Sequence, residues 1–312
     1  MNPHECQPAS YPSERLFFCR VCGGMVIGGK KMMRSVTKNY QRPVADPWDS
    51  FKALIGKMSR NRYFNPQAPF VSNRNSLLSL IFELGRHLQL GQTTLISAVA
   101  YLDAVLALFV ADSLQENLIA FMSVIMAAKM VENPHASSLK EAVSFFENTF
   151  TSQQIERCEE IMFQVLGYNL NVITPLDFLE FFLSCGVITP GSIPQGICAE
   201  TFLTKFEELS RELVLRAVSS YASNEFSSLA IALSALEIAG RRLRLTKPPL
   251  ARAECLTLIP PSDLASSIEL ISALSDSLIP TPYFGVEEEL FSELDDLIKK
   301  EDLSSRSSNV EY

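Results

Sequence analysis

The feature that most constrains the fold is a segment that is apolar on nearly every side. Residues 118–131 carry only one charge, at Lys129. A helix without a polar face must be enclosed by other helices. The segment is about 14 residues long, whereas a membrane-spanning helix needs roughly 20 apolar residues. It therefore predicts the central helix of a helical bundle and no membrane span. Its apolar members are Leu118, Ile119, Phe121, Met122, Val124, Ile125 and Met126.

Amphipathic patterns around this segment predict a first bundle of five helices. Apolar residues recur there every three or four positions, and Gly91 and Pro134 stop two of the runs. No segment alternates polar and apolar residues between hairpin turns, so no sheet is predicted. A short helix begins near Trp48, ahead of the bundle. The five helices cover residues 74–88, 93–110, 117–132, 139–146 and 153–166, with Ser152 capping the last.

A second bundle of similar size is predicted to begin at Thr174-Pro175, because proline is favoured in the first turn of a helix. Residues 227–239 are again apolar nearly all round and predict a second central helix. We therefore expect an all-α chain of two tandem five-helix bundles with disordered N- and C-terminal tails. The expected parts are a basic tail (1–45), two bundles (46–171 and 172–280) and an acidic, serine-rich tail (281–312), with second-bundle helices near 176–183, 196–220, 224–243, 249–257 and 261–278.

Composition excludes several functions. A net charge of −8 disfavours wholesale binding to a phosphate backbone. The seven cysteines are odd in number and mostly lie in helical patterns, which indicates reduced thiols in the nucleus or cytoplasm. No phosphate-binding loop, hydrolase elbow or metalloprotease motif is present. We therefore expect no enzymatic activity, no catalytic residue and no cofactor.

The N-terminal tail leaves two alternatives open. Cys19 and Cys22, with His4 and Cys6 upstream, could be zinc ligands, but their spacing is not that of two paired CxxC units, and free thiols are the alternative. No metal site is predicted on this basis. The basic residues at 30–42 are typical either of a nuclear import signal or of a solvated tail.

Four segments resemble the helices of a cyclin box. Residues 90–106 resemble its second helix, which ends in Tyr-aliphatic-Asp, and residues 125–133 resemble the Ala-small-Lys-x-x-Glu signature of its third. Residues 155–170 resemble the fifth helix, and residues 173–183 resemble the Thr-Pro-x-x-Phe-Leu that leads into a second box. They follow in family order, so residues 46–280 resemble the cyclin family, most closely in the layout of its D-type (G1) branch.

The resemblance implies a regulatory subunit that binds and activates a cyclin-dependent Ser/Thr protein kinase in the nucleus and cytoplasm and controls cell-cycle progression. In the family, a Lys and a Glu at the positions of Lys129 and Glu159 bond to the backbone of the kinase's regulatory helix. Met130, Phe163 and Tyr168 would surround this pair. The alternatives are an ordinary intrachain salt bridge for the two charges and plain core packing for the apolar residues.

Three further expectations follow from the resemblance. Arg74 and Asp103 match residues that pair between the first two helices of the box, a structural role. Asn73 and Ser76 stand where the family has apolar residues that dock Arg-x-Leu substrates, so we expect that docking to be weak or absent. Thr281, which precedes a proline, is the candidate phosphorylation site.

A different function uses the same fold. General transcription-initiation factors also contain tandem cyclin folds and contact DNA and the polymerase machinery. Such proteins need a basic face, and residues 46–280 show none. We therefore expect a kinase as partner, with no nucleic acid and no membrane.

Overall fold

The computed structural model describes residues 17–18, 25–27, 30–31, 47–58, 64–132, 149–194, 197–249 and 258–276. Nine α-helices lie in these ranges and confirm the all-α class. Three short 3-10 turns, Pro69–Ser72, Pro190–Ser192 and Tyr221–Glu225, connect some of them. The helices are α1 (Pro47–Met58), α2 (Arg74–His87), α3 (Gln92–Leu108), α4 (Ser113–Val131), α5 (Ser152–Val165), α6 (Pro175–Cys185), α7 (Ala199–Ser219), α8 (Ser228–Arg242) and α9 (Pro261–Asp276).

Helix α4 is the centre of the first helical group, as its composition predicts. It packs against α2, α3 and α5, and its residues from Leu118 to Ala128 are all buried. By length and composition α4 could cross a membrane, but 67% of its most apolar window is buried inside the protein. This burial is that of a core helix.

Two helix starts differ from the sequence prediction because of capping. Helix α4 begins at Ser113, earlier than predicted, because Asp112 and Gln115 form a capping box. The Asp112 side chain accepts a hydrogen bond from the Gln115 backbone N–H, and the Gln115 side chain accepts one from the Asp112 backbone N–H. Helix α5 begins after Thr151, which forms the same capping box with Gln154. Ser152, the predicted cap, is the first residue of the helix instead.

Helix α8 is the centre of the second group and packs against α6, α7 and α9. Thr174 caps α6 as the sequence predicts, and its hydroxyl accepts a bond from the Asp177 N–H. Helix α1 also packs on this group, where the Phe51 ring stacks on Phe181 at 5.5 Å between centroids. The predicted helix 139–146 and residues 250–257 lie outside the described residues.

A small antiparallel sheet departs from the predicted absence of structure in residues 1–45. Its strands are β1 (Phe17–Phe18), β2 (Met25–Ile27) and β3 (Lys30–Lys31), in the order β1-β2-β3. Strands of two or three residues are too short to show an alternating pattern. The pair Gly28-Gly29 between β2 and β3 is the hairpin signal that could have indicated them.

Candidate functional site

Lys129 and Glu159 meet at the rim between α4 and α5. The Lys129 Nζ donates a hydrogen bond to Glu159 Oε1 over 2.7 Å. The side chains are 45% and 29% exposed, respectively. Lys129 lies in the last turn of α4, where a positive charge complements the helix dipole. The pair is therefore preformed but still in contact with water, so it adds little to the stability of the isolated chain.

The pattern of burial along the two helices explains why the pair lies at a rim. On α4 the buried run ends at Ala128, and the next residue is Lys129. On α5 the buried residues Ile155, Cys158 and Met162 form one stripe, and Glu159 lies beside it. Because α4 packs against α5, the two charged side chains reach the same edge of the group.

A buried thiol lies directly beside the pair. Burial, reinforced by the negative charge of Glu159, raises the pKa of Cys158 to about 12. This thiol therefore stays neutral at ordinary pH and contributes no charge to the site. Cys158, Cys185 and Cys198 are free cysteines.

Two of the three apolar side chains predicted to surround the pair are open to solvent. Met130 is 52% exposed and Tyr168 is 73% exposed, whereas Phe163 is half-buried. Val131, which the sequence analysis did not single out, is also exposed. Core packing therefore does not account for Met130 or Tyr168. Exposed Met and Tyr side chains are typical of surfaces that bind another protein.

Tyr168 is held by an uncommon backbone turn. Gly167 and Tyr168 follow α5 with φ angles of 61° and 57°, both in the left-handed region. The Tyr168 N–H donates to the Phe163 carbonyl over 2.8 Å. Glycine is the usual residue for the first of these positions, but a left-handed tyrosine costs about 1 kcal/mol. The sequence alone gives no signal that Tyr168 has a left-handed backbone.

Glu132, the last residue of the Lys-x-x-Glu signature, ties the end of α4 to the start of α3. Its Oε1 accepts hydrogen bonds from the Gly91 N–H and from the Thr94 hydroxyl, each over 2.6 Å. Gly91 is the N-cap of α3 and has no side chain to cap it. Glu132 therefore supplies the cap from another helix, a role the sequence analysis missed.

Arg74 and Asp103 form a buried bidentate ion pair between α2 and α3. Arg74 Nε and Nη2 donate to the two Asp103 oxygens over 2.8 and 2.9 Å. The side chains are only 3% and 6% exposed. The same guanidinium donates to the carbonyls of Ser219 (2.6 Å) and Val218 (2.9 Å) at the end of α7, and Asn224 donates to Asp103. The pair thus joins both helical groups.

The surface of α2 that would dock a substrate is polar. The Asn73 side-chain amide donates to Glu116 Oε2 over 2.9 Å, and Ser76 is exposed. Leu77 is completely buried and so is unavailable to a ligand. Ser76 and Leu80 line a shallow groove of about 340 Å³ with Glu83, Leu114, Asn117 and Phe150.

Docking of an Arg-x-Leu peptide on this groove is expected to be weak. Fully burying a Leu side chain yields about 1.5–3 kcal/mol, and the polar Asn73 and Ser76 would forfeit much of it. Calorimetric titration should detect no micromolar binding. The matched variant Asn73→Met/Ser76→Ile should bind the peptide more tightly. Micromolar binding to the unmodified chain would contradict this prediction.

Two predicted features of the tails fall outside the structural description. Thr281 and the cysteines at positions 6, 19 and 22 lie outside the described residues. Within the described ranges, no group of three or more His, Cys, Asp or Glu side chains could hold a metal ion.

Comparison with known proteins identifies the first helical group. A family model described as the cyclin N-terminal domain matches residues 51–171. Cyclin-O protein B of Xenopus laevis is 29% identical over 180 residues, which cover 58% of this chain and 48% of that protein. Cyclin-D of Ostreococcus tauri is 30% identical over 124 residues, which cover 39% of this chain and 32% of that protein. The chain thus spans half or less of the length of these curated relatives.

A solved structure shares the fold across both helical groups. A chain in the crystal structure of the yeast RNA Pol II CTD kinase CTDK-1 complex matches with a TM-score of 0.52. The match covers 79% of this chain and 82% of that chain at 14% identity. At this identity the similarity shows the fold alone.

These observations define an all-α protein whose residues 51–171 match the cyclin N-terminal domain, and the chain is similar to cyclin-O and cyclin-D proteins. The family matched at residues 51–171 consists of non-catalytic kinase regulators, in agreement with the expectation that this chain is not an enzyme. The matches include both cyclin-O and cyclin-D, so the D-type layout stays a prediction.

Proposed function

We propose that this chain binds and activates a cyclin-dependent Ser/Thr protein kinase through the rim at Lys129 and Glu159. The observation that carries the proposal is a preformed, partly exposed ion pair on two helices that also carry exposed apolar residues, Met130 directly after Lys129 and Tyr168 just after the end of α5. An isolated salt bridge needs no exposed apolar residues of this kind. A protein partner that covers Met130 and Tyr168 would bury apolar area and exclude water from the charges at the same time.

The ion pair has unused hydrogen-bonding capacity for a partner's backbone. Lys129 carries three N–H donors, and its bond to Glu159 uses one of them. Glu159 likewise keeps acceptor capacity on its carboxylate. A kinase helix that offers both a carbonyl and an N–H group can therefore satisfy both charges. Each charge meanwhile holds the other in position, which lowers the ordering cost of binding.

Activation would follow from differential binding. In a protein kinase, a glutamate on the regulatory helix must reach the lysine that orients ATP. A subunit that binds the inward placement of that helix better than the outward placement shifts the kinase toward its active state. The kinase would supply ATP binding and catalysis, and this chain would supply only the binding free energy.

The competing proposal, a DNA-binding transcription-initiation module, has less support. The chain has a net charge of −8, and no extended basic face is evident in its sequence between residues 46 and 280. Titration with duplex DNA at low and moderate salt is expected to show no salt-dependent binding. Tight binding that weakens steeply with salt would favour the transcription role instead.

The direct test of kinase binding is reconstitution with a panel of purified cyclin-dependent kinases. One member should co-elute with the full chain and phosphorylate a Ser-Pro peptide faster than it does alone. If no member binds or gains activity, the proposal fails. Roles in the cell cycle, nuclear and cytoplasmic localisation, and phosphorylation of Thr281 belong to the same proposal and need tests in cells.

A further inference from the structure

The Lys129–Glu159 pair has a competing carboxylate at the C-cap of α4, Glu132. Glu132 lies three residues after Lys129, a spacing at which oppositely charged side chains attract on a helix surface. If Lys129 turned toward Glu132, its attraction to Glu159 would have a rival and the donors available to a partner would change direction. In the structure it does not, because the Glu132 carboxylate is directed to the start of α3.

Three features hold that carboxylate in place. The Gly91 N–H and the Thr94 hydroxyl both donate to Glu132 Oε1 over 2.6 Å. Thr94 is completely buried, so its hydroxyl has a fixed position. A Cβ at position 91 would lie 3.3 Å from the same oxygen, so glycine there leaves room for the carboxylate. The N-terminal end of α3 also attracts negative charge.

We infer that Thr94 is a positioning residue: with the Gly91 N–H, its hydroxyl holds the Glu132 carboxylate at the start of α3 and so keeps it from drawing Lys129 away from Glu159. The inference rests on the proposed kinase-binding function of that pair. In this arrangement the Glu132 carboxylate is engaged at the start of α3 and not at the Lys129–Glu159 pair. The effect of Thr94 on kinase affinity is indirect, because Thr94 acts only by restraining the negative charge of Glu132.

The test is a pair of single variants and their combination, with affinity measured by calorimetry against the panel kinase that binds best. Thr94→Val removes one of the two anchoring donors and keeps the side-chain volume. It should weaken kinase binding about twofold, because the freed carboxylate competes for Lys129. Glu132→Gln keeps an acceptor oxygen but has no charge, so it should bind like the unmodified chain.

The combined variant separates this role from a merely structural one. Thr94→Val/Glu132→Gln should regain the affinity lost in Thr94→Val, because no carboxylate remains to compete. A residue that only stabilises the fold would give no such rescue, and melting temperatures should stay lowered in both variants that lack the hydroxyl. Unchanged affinity in Thr94→Val, or no recovery in the combined variant, would overturn the inference.

Lys129→Ala in the same experiment distinguishes this inference from the proposed function. If Lys129→Ala loses kinase affinity while Thr94→Val does not, the kinase site stands and only the positioning role of Thr94 is wrong. If Lys129→Ala binds as tightly as the unmodified chain, the kinase site itself is wrong and the inference falls with it.

Discussion

Replacing Lys129 or Glu159 with alanine is expected to weaken kinase binding by about 2–5 kcal/mol, because truncation strands the other charge in a desolvated interface. Kinase activation should be lost in parallel. The melting temperature of the free chain should hardly change, since both side chains are partly exposed and exposed pairs contribute little to folding. Affinity and peptide phosphorylation with the reconstituted kinase, together with thermal melts of the free chain, provide the measurements.

A charge-swapped variant is the matched control. Lys129→Glu/Glu159→Lys retains an intrachain ion pair, and so retains its small contribution to stability, but presents donors and acceptors to the partner in reverse order. If the pair acts through the kinase backbone, the swapped variant should bind as poorly as the alanine variants. Full activation by the alanine variants would show that Lys129 and Glu159 form only an internal salt bridge.

Asp103→Ala is expected to lower the free energy of unfolding by about 3–5 kcal/mol, the usual cost of removing one partner from a buried ion pair. The change would leave the Arg74 guanidinium buried without its counter-charge and Asn224 without an acceptor. Denaturant unfolding of the purified variant would measure the loss. The kinase surface is not altered, so the folded fraction should still bind the kinase.

The double variant Arg74→Met/Asp103→Leu is the control for this second prediction. Replacing both charges with apolar residues leaves no unpaired charge, so it should destabilise far less than Asp103→Ala alone. Any loss of stability that remains in the double variant includes the loss of the hydrogen bonds from Arg74 to the carbonyls of Val218 and Ser219. An Asp103→Ala variant as stable as the unmodified chain would mean that the pair does not hold the fold.

Long helices with strong patterns could be predicted from the sequence. The central position of α4 follows from its lack of a polar face, and the start of α6 follows from Thr174-Pro175. Lys129 had to emerge at a helix end because a lone buried charge is costly. The starts of α4 and α5 were missed by one to four residues, because capping boxes at Asp112 and Thr151 decide them.

Contacts between distant segments could not be predicted. The bonds of Arg74 span 144 and 145 positions to Val218 and Ser219, and no local pattern encodes them. The bond between Glu132 and Thr94 depends on how α3 and α4 pack, which spacing along one helix does not fix. The exposure of Tyr168 likewise follows from a left-handed backbone that sequence does not signal.

The hydrogen bonds from Arg74 to the second helical group have a consequence for how the chain unfolds. The family match ends at residue 171, yet two acceptors of that guanidinium, the carbonyls of Val218 and Ser219, lie well beyond it. A fragment cut at residue 171 would expose the buried charges of Arg74 and Asp103 to water, and it would lose Tyr221, whose ring centroid lies 5.5 Å from the guanidinium carbon. We therefore expect the unit that unfolds cooperatively to be larger than residues 51–171, so that heating melts both helical groups in one transition.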